Sequence, residues 1–205
     1  MAWQQFGEAY HLDEAMTSVH HLREVLNTTS HAPFEAIYYK EIIGLGHLFL
    51  GEYYQKSYKQ QAKDSICMIM LRGYVPLCDT SLRILPKQHD VQASLEASKS
   101  NGIVLNIDGD GEFEQHFTVI AQEKHRAKLV LSPYIRGQLL ETQNIAPGNH
   151  EWLFGETQIV FRVIRSVDDP LELELFFKML SRFTSLAYAS SLNQNPNQNT
   201  NQNTR

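Results

Sequence analysis

The sequence predicts an α+β fold, a helical N-terminal region followed by a strand-rich core, and three observations carry that expectation. Apolar residues recur at helical spacing through the first third of the chain. After about residue 65 the pattern changes to short apolar runs separated by turn residues. Near residue 178 a helical pattern returns, and then a polar tail begins.

In residues 12–27, Leu12, Ala15, Met16, Val19, Leu22 and Leu26 fall on one face of a helix, with His20, Arg23 and Glu24 around them. Pro33 interrupts the chain, because it has no N–H to donate and its ring clashes with a preceding helical turn. A second helical stretch is expected through Phe34, Ile37, Tyr38, Ile42 and Leu45 toward Tyr53 and Tyr54, weakened by Gly44, Gly46 and Gly51. Residues 1–64 therefore read as helical.

Strands are expected in Ser65–Gly73, Asn101–Gly111, His116–Ala121, Ala127–Pro133, Glu151–Ile164 and Leu171–Phe177. In the last of these, Leu171, Leu173 and Leu175 alternate with Glu172 and Glu174, which would put the leucines on one half-buried face. Lys178–Leu192 is expected to close the domain as a helix. The organisation is thus one domain over 1–192, with a β-rich core at 65–177 and a C-terminal helix at 178–192. The Asn/Gln-rich tail 193–205 has no apolar anchors to offset the entropy of ordering, so it is expected to be disordered.

A chain of 205 residues, 42% hydrophobic and 20% charged, supports one real core and is short for two domains. The net charge of −5 gives no footprint for a phosphate backbone, which argues against nucleic acid as a partner. No apolar run reaches the length of a membrane helix, and the first residues lack the order of a secretion signal. A soluble, cytoplasmic protein is expected, or one delivered to a target-cell cytosol without such a leader. Cys67 and Cys78 sit among apolar residues without CxxC spacing and read as buried thiols. The nine histidines show no metal-ligand spacing; His20 and His21 are adjacent and would point apart on a helix.

The chemistry-bearing pattern lies in Gly148–Val163. Glu151 opens an apolar strand through Trp152, Leu153 and Phe154, a polar turn reverses the chain, and a β-branched strand returns through Phe161, Arg162 and Val163. This run resembles the catalytic-glutamate region of the arginine-type ADP-ribosyltransferases, above all the small phage-encoded ones. Two further features follow that family's order. Arg72 and Gly73 close the first apolar strand, and Phe117 and Thr118 stand on a strand after a Gly-Asp loop. The three positions Arg72, Thr118 and Glu151 are spaced by roughly forty-five and thirty residues. The resemblance covers about residues 66–177.

The resemblance implies a split two-sheet β core and NAD as substrate, with ADP-ribose passing to a protein acceptor. It implies that Arg72 clamps the pyrophosphate, with Gly73 admitting close approach, and that Phe117 and Thr118 border the nicotinamide ribose. Glu151 would hydrogen-bond the ribose and stabilise positive charge as the glycosidic bond breaks. The family's acceptor-orienting position, two residues before the glutamate, is Asn149 here, which cannot act as a general base. Val119 and Ile120 replace the family's remaining hydroxyls. Two further expectations follow: a catalytically degenerate NAD-binding or adaptor protein of the same fold, and an α+β interaction protein that does not use NAD. Read from the residues alone, Arg72 is an ordinary surface arginine, Glu151 an ordinary strand-edge carboxylate, and His150 a solvent or packing histidine facing away from Glu151.

Overall fold

The structure is a computed structural model, and it describes residues 2–11, 13–14, 34–42, 46–56, 63–73, 78, 80–87, 102–107, 111–146 and 150–194. In chain order these form α1 (Ala2–Ala9), β1 (Asp13–Glu14), β2 (Phe34–Ile42), β3 (Gly46–Lys56), β4 (Lys63–Gly73), β5 (Leu82–Pro86) and β6 (Ile103–Leu105). There follow α2 (Gly111–His116), β7 (Phe117–Ala121), α3 (Lys124–Val130), α4 (Pro133–Ile145), β8 (His150–Gly155), β9 (Gln158–Val163) and α5 (Pro170–Gln194).

The nine strands build a single sheet in the order β1-β2-β3-β4-β9-β8-β5-β7-β6, with every pairing antiparallel. The α+β class holds, but the described strands form one continuous sheet where two were expected. The join is β4 on β9, which runs from Cys67 opposite Val163 to Arg72 opposite Gln158.

The expected helix over Phe34 to Tyr54 is instead the hairpin β2–β3. Phe34, Ile37, Tyr38, Tyr39 and Ile42 are aromatic or β-branched, types that suit a pleated surface better than a helix interior. At the start of β3, Gly46 has φ 151°, and a Cβ there would lie 1.9 Å from the Arg72 carbonyl oxygen. Only glycine lets β3 approach β4 this closely. Asp13 and Glu14, placed in the first expected helix, pair with Tyr39 and Tyr38 as a short strand. Residues 12 and 15–27, the rest of that expected helix, lie outside the described residues, as does 195–205 of the expected tail.

Two further expected strands are helical. Ala127 and Leu131 are fully buried while Leu129 between them is 60% exposed, and burial at i and i+4 belongs to a helix. The next residue, Ser132, caps α4 by accepting a hydrogen bond from the Ile135 N–H at 3.4 Å, with Pro133 in the first turn. The Leu/Glu alternation at 171–175 likewise lies within α5, whose buried face is Leu173, Phe176, Leu180 and Phe183. Asp169 accepts from the Leu171 N–H at 2.9 Å, and Pro170 opens the helix.

One face of the sheet and the helices share a core. Leu48, Leu50, Ile69, Leu71, Leu82, Ile84, Val119, Trp152, Ile159 and Phe161 meet Phe6, Phe113, Leu139, Phe176 and Phe183. Trp152 anchors it, its ring 4.5 Å from Phe161 and 4.6 Å from Phe183. Such aromatic pairs contribute about 0.5–1.5 kcal/mol each beyond the area they bury. Beside Phe176, Phe177 of α5 receives α1 and the residue after it through Phe6 and Tyr10, whose rings stack at 4.5 Å and both meet Phe177. Alternate residues point to the opposite face, and there Met68, Met70 and Val160 are fully buried. Among the described residues, no helix is long and apolar enough to cross a membrane.

Candidate functional site

Strand register places the expected site residues that fall among the described ones. Glu151 lies opposite Arg162 on β9, and Arg162 lies opposite Met68 on β4. Continuing the pairing of Ile84 with Trp152 by one residue sets Leu85 beside Glu151, and Leu85 pairs with Thr118. Glu151 and Thr118 therefore share one row across the sheet and one face, with β5 between their strands. Their separation is about 10 Å, two strand spacings.

Arg72 points to the same face but occupies another row. It pairs with Gln158, which pairs with Gly155, four residues along β8 from Glu151. That offset is about 14 Å along the strand and about 10 Å across it. Arg72 and Gly73 do end β4, with the Gly73 N–H donating to the Thr157 carbonyl at 2.8 Å. Sheet geometry thus brings Glu151 and Thr118 into line and leaves Arg72 at a distance. Phe117, next to Thr118, points to the helix-covered face, its ring 5.1 Å from Phe113 and 5.8 Å from His150. Asn149 lies outside the described residues.

What surrounds Glu151 was not foreseen from the sequence. Arg83 on β5 donates through Nε to Oε1, and Arg162 donates through Nη2 to Oε2. The carboxylate side chain is 7% exposed, against 24% for Arg83 and 16% for Arg162. Each oxygen has its own guanidinium, so the group is an ion-paired centre built into the sheet. Each oxygen keeps a second acceptor position, but a sugar hydroxyl would have to reach a carboxylate that is already ion-paired on both sides and only 7% exposed.

Arg162 was within reach of sequence reasoning. The hairpin turns at Glu156 and Thr157, and counting back from that two-residue turn pairs residue 151 with 162. Arg83 was not, because it is 68 residues from Glu151 along the chain and no local pattern links them.

Neighbouring groups have packing roles. His150 is fully buried between Phe117 and Phe161 and donates from Nδ1 to the Ala146 carbonyl at 2.6 Å. Cys67 and Cys78 are buried free thiols, and the Cys78 Sγ–H donates to the Thr80 carbonyl at 3.0 Å. Among the described residues, no group of three or more His, Cys, Asp or Glu is placed to hold a metal ion.

A family model, DUF3137, described as a protein of unknown function, matches residues 78–195, more than half of the chain. The chain belongs to the DUF3137 family. The matched segment runs from the approach to β5 through α5, and so contains Arg83, Thr118, Glu151 and Arg162. Arg72, Gly73 and strands β1–β4 precede it. Neither the curated proteins nor the solved structures give a match to this DUF3137 chain.

Proposed function

We propose that this DUF3137 protein is an α+β interaction protein that does not turn over NAD. The observation that carries this reading is the commitment of Glu151: both of its oxygens are held by Arg83 and Arg162. A carboxylate so held is suited to fixing β5, β8 and β9 together. The distance of Arg72 from the Glu151 row supports the same reading, because a pyrophosphate clamp and a ribose-binding glutamate must meet on one ligand. Exposed apolar side chains at the rim of the sheet, Ile103 at 48% and Val104 at 50%, are of the kind that partners cover.

A second reading, NAD-dependent transfer of ADP-ribose to a protein acceptor, draws support from the alignment of Glu151 and Thr118 in one row. One experiment separates the readings. NAD is titrated calorimetrically into the protein, and labelled NAD is incubated with protein and lysate, using wild type and Glu151→Gln with circular dichroism to verify folding. No binding and no labelling is the expected result. NAD consumption lost in a folded Glu151→Gln would overturn the proposal in favour of the transferase. Binding without turnover would replace it with a degenerate NAD-binding adaptor.

A further inference from the structure

We draw no further inference here: the strongest candidate, the exposed apolar edge of the sheet at Ile103 and Val104 on β6, carries nothing because nothing in the structure shows what covers it.

Discussion

Arg162 stands directly opposite Glu151 in the β8–β9 hairpin and donates to its Oε2, while Arg83, from a strand far away in sequence, donates to Oε1. The pair closes the hairpin and the third member ties it to β5. Breaking a largely buried charge pair leaves the remaining charges without their partner, which costs more than the pair contributes when compared with an apolar replacement. Glu151→Gln is expected to lower unfolding stability by about 2–3 kcal/mol, since it leaves two guanidiniums facing a neutral amide. In urea titrations, a double-mutant cycle with Arg162→Gln should show a coupling above about 1 kcal/mol. A loss under about 0.5 kcal/mol would mean that the cluster behaves as a surface ion pair.

The close approach of β3 to β4 gives a second prediction. Gly46→Ala puts a Cβ into the Arg72 carbonyl and forces a side chain onto a backbone conformation that only glycine adopts readily. The expected loss is about 3 kcal/mol or more, with β3 shifting away from β4. Gly137→Ala is the matched control, because nothing lies within 4 Å of the added Cβ and the residue is inside α4. That change is expected to stabilise by about 0.5–1 kcal/mol. Thermal unfolding of the two variants should move in opposite directions, and a shared direction would contradict the placement of Gly46.

How much of this was legible in the sequence depends on which interaction selects each element. Ser65–Gly73 and the hairpin from Glu151 to Val163 are legible as strands, because short apolar runs bounded by turn residues and a two-residue turn are local signals. Phe34–Tyr54 reads as helix in the sequence and is a hairpin in the fold, because Ile37, Tyr38 and Ile42 fit a helical repeat by chance while Gly46 marks a strand contact visible only beside Arg72. The site divides along the same line. Glu151 stood out as a carboxylate opening an apolar strand, whereas its commitment to Arg83 is a long-range pairing set by the order β9-β8-β5.

Cys67 supplies a prediction in pH. Burial pushes its thiol well above the ordinary value of 9.0, with nearby Glu52 and Glu172 adding to the rise and Arg165 opposing it. Between the unfolded and folded values the native protein keeps a proton that the unfolded chain has released. The stability tied to this group is therefore complete below about 9 and falls as pH climbs from there through the folded value. Urea midpoints from about pH 8 to about pH 10.5 should drop more steeply in wild type than in Cys67→Ala. Equal slopes would show that Cys67 ionises as easily in the fold as outside it. Native protein should also resist iodoacetamide at Cys67 until denaturant is added, since the thiolate is the reactive form.

The segment Leu171–Phe177 offers the sharpest contrast between two structures, since its Leu/Glu alternation suits a strand and its buried residues suit a helix. In a strand, Leu173 and Leu175 would share one face and one fate. In α5 they part: Leu173 is fully buried in the aromatic core, whereas Leu175 is 44% exposed and Leu171 67%. Leu173→Glu would bury an unpaired carboxylate beside Phe176 and is expected to cost about 4 kcal/mol or more. Leu175→Glu should change stability by less than about 1 kcal/mol, because the new charge remains near water. Asp169→Ala should cost about 1 kcal/mol by removing the acceptor at the Leu171 N–H where the helix begins. Equal damage from the two leucine substitutions, with no effect at Asp169, would restore the strand and detach this segment from Trp152 and Phe183.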